Sequence, residues 1–209
     1  MKLAVHNIKG KETKKQINLS KDIFGVEPNN HAIYLDVKQF LASQRSGTHK
    51  TKGRSEVKGS RRKLRKQKGS GAARVGDIKN PLFRGGGRVF GPQPRNYGFK
   101  INKKVKRIAR KSALSHKAKD NSIIILEDFS FEQPSTRSYN SFLSSFNLVD
   151  SKTVLVMSNS NRNILLSSRN LKNSRVVLAS ELNTYDVMNA NKLMFTESSV
   201  SEIEKIFNN

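Results

Sequence analysis

From residue 122 onward the chain repeats a simple rhythm of apolar and polar positions. Four short apolar runs, at residues 123–126, 154–157, 176–179 and 193–195, are separated by longer mixed stretches. Each run is continuously apolar rather than alternating, the pattern of a strand buried on both faces of a parallel sheet. The intervening segments 135–146, 161–171 and 184–189 carry helical patterns. A last helix is predicted from a capping box, Ser199 to Glu202, with Val200, Ile203 and Phe207 turned inward.

Toward the N-terminus, residues 2–6 and 14–19 read as strands joined around Gly10, a hairpin. Pro28 precedes a helical pattern through Ala32, Leu35 (or Tyr34), Phe40 and Leu41 that is expected to end near Gly47. Asn102 is placed to cap a further helix with Val105, Ile108, Ala109 and Ala113 on one face. Its other face holds Lys103, Lys104, Lys106, Arg107, Arg110 and Lys111, so one side packs and the other is cationic. Alternating strands and helices predict an α/β fold: a layered α/β/α body with a mainly parallel sheet and right-handed crossovers. No internal repeat is present.

Residues 45–100 break this rhythm. They contain 11 of the 13 glycines and three of the five prolines, and only nine of their 56 residues are Leu, Ile, Val or Phe. That apolar content, about 16%, is below the level at which a charged segment folds alone. The expected organisation is a globular body from residues 1–44 and 101–209, with 45–100 as a long, basic, glycine-rich arm. Folded back as a hairpin, such an arm reaches roughly 90 Å.

Charge sharpens the division. The 209 residues carry 40 Lys+Arg against 16 Asp+Glu, a formal net charge of +24. Residues 45–111 hold 23 of the bases and only two acids, Glu56 and Asp77, whereas residues 112–209 hold ten of each. A field this strong and this local implies a polyanionic partner. No apolar run is long enough to span a bilayer, and residues 1–10 lack the core of a secretion signal, so no membrane role is expected. The absence of cysteine excludes disulfides and cysteine-ligated zinc, and fits a cytoplasmic location.

Candidate chemistry elsewhere is thin. His6, His31, His49 and His116 show no metal-ligand spacing and read as ordinary surface or half-buried histidines. Glu127 and Asp128 end a strand, where α/β proteins often bind ligands, but read as a helix cap or solvated loop. The stretch from Gly69 to Arg74 half resembles a dinucleotide loop, yet lacks its third glycine, its preceding strand and its acidic partner. No catalytic residue, metal or cofactor is expected. An RNA-processing enzyme with a basic substrate arm would need an acid/base or metal cluster that the chain does not display.

The basic arm is the strong signal. Its candidate RNA-binding residues are Arg45, Lys50, Lys52, Arg54, Lys58, Arg61, Arg62, Lys63, Arg65, Lys66, Lys68, Arg74, Lys79, Arg84, Arg88, Arg95 and Lys100, continued by Lys103 and Lys104. Interleaved glycines allow close approach to a phosphate backbone. No helix-turn-helix, zinc-finger or zipper pattern suits a DNA groove, whereas a glycine-broken cationic strand suits folded RNA. If about ten cations met phosphates, affinity would fall with salt at a log–log slope of roughly −7 to −9. Phe83, Phe90, Tyr97 and Phe99 either stack on unpaired bases or anchor the arm's root on the body. For Phe90 and Phe99 anchoring is the expected role.

These residues also compose a recognisable set of motifs. Gln44-Arg-Ser-Gly-Thr48, then Lys52, Arg54 and Glu56-Val57, then Lys66-Gln-Lys-Gly-Ser-Gly-Ala-Ala-Arg74 resemble the arm of the universal large-subunit ribosomal protein L-four family. So do Gly85-Gly-Gly87 and Phe90-Gly-Pro-Gln-Pro-Arg95, leading into Lys100-Ile-Asn-Lys-Lys104, and the resemblance extends through the body. It implies a structural protein of the bacterial 50S subunit, in the cytoplasm, that binds 23S rRNA and neighbouring large-subunit proteins, supports assembly and is not a homo-oligomer. It further implies that an arm tip at Arg65, Lys66, Gln67, Lys68 and Gly69 helps form the constriction of the nascent-peptide exit tunnel, with the nascent peptide as a possible contact. Leu64-Arg65 stand where bacterial members usually have Pro-Trp, so a cation replaces a flat aromatic. The alternative implied role is a free RNA-binding repressor of the protein's own operon.

Overall fold

The four apolar runs all become strands of one sheet in the computed structural model, which describes residues 1–208. β1 (Lys2–His6) and β2 (Glu12–Asn18) form the expected hairpin, turning through Gly10 at φ 77°. A short α1 (Lys21–Phe24) that the pattern does not announce follows, then α2 (Asn30–Ser43). After the arm come α3 (Lys103–Lys119), β3 (Ile123–Leu126), α4 (Thr136–Ser145) and β4 (Thr153–Met157). The chain continues through α5 (Arg162–Ser168), β5 (Ser174–Leu178), α6 (Thr184–Asn189), β6 (Lys192–Thr196) and α7 (Glu197–Asn208).

Strand order is β2-β1-β3-β6-β4-β5, with only the β1–β2 pair antiparallel. Alternate side chains of the central strands enter two separate cores, as strand geometry requires. Ile123, Ile125, Val154, Val156, Leu193 and Phe195 face a layer containing Leu114 of α3, Val187 of α6, and Val200 and Ile203 of α7. Leu126, Leu155, Met157 and Met194 face Tyr139, Phe142 and Leu143 of α4 and Ile164 of α5. The body is thus the layered α/β/α arrangement the pattern predicts, and each fully buried Leu, Ile or Phe in it contributes about 1.5–3 kcal/mol.

Three details differ from expectation. α2 ends at Ser43, ahead of Gly47. On α3, Ala109 and Ala113 are fully buried but Ile108 is half exposed, and buried Ser112 and Ser115 take the inner face instead. These serines are satisfied: Ser112 Oγ accepts the Asn29 amide (3.1 Å), while Ser115 Oγ accepts the Val26 amide (3.1 Å) and donates to the Ile23 carbonyl (3.0 Å). The predicted capping box is not formed. Ser199 lies inside α7, fully buried, and donates to the Thr196 carbonyl, whereas the first turn is capped by the Asp128 carboxylate, which accepts from Ser198 Oγ (2.6 Å) and the Ser198 amide (3.4 Å). The cap comes from the end of β3, far away in sequence.

The chain divides into two compact units, Met1–Leu41 with the residues from Lys100 onward, and Ala42–Phe99. The second contains no helix beyond the end of α2 and no strand among its described residues, yet its two sides are linked. Backbone amides of Arg95, Thr51, Arg88 and Leu64 donate to the carbonyls of Gly47, Pro92, Lys52 and Gly76 at 2.9–3.1 Å.

Candidate nucleic-acid interface

At the root of the arm unit the backbone crosses closely. Gly47 has φ 61°, and a Cβ there would overlap the Arg95 carbonyl oxygen, so only glycine serves. Beside this crossing Tyr97 is an organising ring. The guanidinium groups of Arg45 and Arg95 lie over it, 3.9 and 4.5 Å from its centre, and its hydroxyl meets His49 Nε2 at 3.0 Å. Cation–π contacts of this kind orient long flexible cations.

Further along, the arm's two acids each engage a cation. Lys50 Nζ donates to Glu56 Oε1 at 2.5 Å and the Gly53 amide to Glu56 Oε2 at 3.1 Å, and these two hydrogen bonds hold the Glu56 carboxyl below its ordinary range. Asp77, nearly buried, pairs with Arg54 at 3.0 Å. Arg54, Arg61, Lys63 and Arg74, with Gln67, Val75, Gly76 and Asp77, surround an open hollow of about 350 Å³. Its rim is cationic and its floor holds the one carboxylate.

Sixteen of the seventeen arm cations are exposed: Arg45, Lys50, Lys52, Arg54, Lys58, Arg61, Arg62, Lys63, Arg65, Lys66, Lys68, Arg74, Arg84, Arg88, Arg95 and Lys100. Lys79 is the exception, 8% exposed beneath Gly59. With Lys50 and Arg54 engaged, fourteen exposed cations face no carboxylate among the described residues. On α3, Lys103, Lys104 and Arg107 are exposed, while Lys106 is half buried and donates to Gln39 Oε1 (3.1 Å).

Arg65, Lys66, Gln67, Lys68 and Gly69 are all exposed, with Lys63 Nζ donating to Gln67 Oε1. Gly69 and Gly71 have φ 83° and 62° with open space around them, so the turn needs glycine for its backbone rather than for room. The aromatics divide. Phe83 and Phe99 are 37% and 39% exposed, whereas Phe90 is fully exposed and anchors nothing, which corrects its expected role.

The remaining candidates are not brought together. His6 packs against Phe146, His31 against Tyr34, His49 on Tyr97, and His116 contacts Asp120 at 3.0 Å. Among the described residues no group of three or more His, Asp or Glu side chains could hold a metal ion. Nor is any of their helices long and apolar enough to cross a membrane.

What the geometry offers is a surface for a long polyanion: cations in excess, glycines at backbone crossings, and an aromatic on the outside. Comparison with known proteins gives the family. The sequence profile of the Ribosomal protein L4/L1 family matches residues 17–206. The chain is 56% identical to the large ribosomal subunit protein uL4 of Christiangramia forsetii, covering 98% of each chain. It is 55% identical to the protein of that name from Phocaeicola vulgatus over 99% of each, and 52% identical to that from Amoebophilus asiaticus over the full length of both.

Proposed function

The chain belongs to the ribosomal protein L4/L1 family, and from that premise we propose how it works. It is a structural constituent of the large ribosomal subunit, not an enzyme, and it acts in the cytoplasm as part of the ribosome. Its partners are rRNA and other proteins of that subunit. The arm, residues 45–100, binds 23S rRNA, and the body, residues 1–44 and 101–209, carries it. The observation that supports this reading is the set of fourteen exposed, uncompensated cations on an arm with only two acids. Counterion release from that many phosphate contacts gives tight binding with a steep salt dependence.

The decisive experiment is co-sedimentation of the protein with large subunits through a high-salt wash. Retention is expected because an arm threaded among rRNA helices cannot leave contact by contact. A protein stripped at the salt that removes generic polycations overturns the reading.

The finer reading places Arg65, Lys66, Gln67, Lys68 and Gly69 at the exit-tunnel constriction, supported by the exposure of all five and by the positive-φ turns at Gly69 and Gly71. A photo-crosslinking amino acid in place of Lys68 is expected to capture a stalled nascent peptide. Subunits that contain the substituted protein but give no crosslink refute the tip assignment.

A further inference from the structure

Among the described residues, three other than glycine have positive φ: Phe90 (51°), Asn121 (50°) and Asn147 (55°). The two asparagines sit just beyond the ends of α3 and α4, the residue type and position that favour this conformation. Phe90 has neither excuse: it is bulky and far from any helix.

The surrounding backbone fixes it there. The Thr51 amide donates to the Pro92 carbonyl (3.1 Å) and the Arg88 amide to the Lys52 carbonyl (2.9 Å). Between these two bonds one side of the arm advances a single residue, from 51 to 52, while the other advances from 88 to 92. Residues 89–91 are therefore a bulge, a device that re-aims a side chain. Gly91 completes it, because a Cβ there would overlap Thr51 Oγ1. The outcome is a phenyl ring wholly in solvent, two residues from exposed Arg88. Exposed apolar area and a disfavoured backbone are both unfavourable, and the protein itself offsets neither.

We propose that Phe90 is a base-stacking residue, its ring resting on an unpaired base of the rRNA that the arm binds, with Arg88 toward the flanking phosphate. This rests on the rRNA-binding reading above. A base fits the ring because every base offers a π-face, and the cations on either side draw in the backbone that carries it. A second copy of this chain is a poor occupant, since the two arms would meet with like charge.

The chain contains no tryptophan, so Phe90→Trp supplies a single fluorescent reporter. Titrated with protein-free large-subunit rRNA, its emission is expected to be quenched to saturation, and that of Val89→Trp, next door, much less. Phe90→Ala, Phe90→Leu and Phe90→Gly are expected to bind that RNA about tenfold more weakly with an unchanged salt slope, while Phe90→Trp binds as wild type. Phe90→Gly separates ring from backbone, since glycine accepts the left-handed conformation. If it binds as wild type while Phe90→Ala does not, the backbone is responsible and stacking is overturned. Absent quenching and unchanged affinities in all variants, with wild type still binding at a steep salt slope, overturn stacking alone. A wild type that does not bind this RNA sinks the rRNA reading as well.

Discussion

Tyr139 shows how a single buried group ties the body's stability to pH. Its ring is fully buried beside Phe142, and its hydroxyl accepts from Ser174 Oγ at 3.0 Å. Burial pushes the phenol up to about 12, with the Ser174 hydrogen bond pulling slightly the other way. The unfolded chain releases that proton near pH 10, so the folded state holds it more tightly. The contribution is fully present below about pH 10 and lost as pH rises toward 12, about 2–3 kcal/mol across the window. Tyr139→Phe keeps the ring and removes the proton. Denaturant unfolding of wild type and variant across this range should show the variant with the shallower loss of stability. Parallel curves would mean the phenol ionises in both states alike.

The elements differ in how plainly the sequence announces them, and the reasons are physical. Runs such as 154–157 are legible because a central parallel strand is buried on both faces and cannot afford a polar residue on either. The helix starts at Asn161 and Ser135 are legible because the cap is local: Asn161 Oδ1 accepts the amides of Asn163 (3.0 Å) and Ile164 (3.3 Å), and Ser135 Oγ that of Ser138 (3.3 Å). α7 misleads because its cap arrives from Asp128 across the fold, leaving a local Ser–Glu spacing that looks like a box and is none. α3 misleads because hydrophobic periodicity counts Ser112 and Ser115 as surface, whereas they are buried to satisfy loop amides. In the arm, composition and motifs reveal a cationic glycine-rich segment. The bulge at 89–91 is invisible because it is written in backbone hydrogen bonds between residues some 40 apart, and only that bulge decides that Phe90 points outward.

For the whole molecule, the net charge of +24 describes two unlike parts, an arm that is strongly cationic and a C-terminal half with no net charge. Self-repulsion is therefore concentrated in residues 45–111, which carry 21 of the 24 excess charges, and the residues after them add none. This division predicts the behaviour of a shortened protein. A Cβ on Gly59 would stand 3.3 Å from Ile78 Cγ2 and 3.5 Å from Lys79 Cε, so the excision of residues 59–76 is made where the side chains of the returning chain lie against the outgoing one. The excision removes Arg61, Arg62, Lys63, Arg65, Lys66, Lys68 and Arg74 but none of the core clusters. The shortened protein is expected to melt cooperatively at the wild-type temperature. Its affinity for rRNA should fall, and its log–log salt slope should shrink by about 5 to 6 if all seven cations meet phosphates. Loss of cooperative melting would show that the body depends on the excised segment. An unchanged salt slope would show that the tip cations contact no phosphate, and the rRNA contacts would then belong to the arm's stems alone.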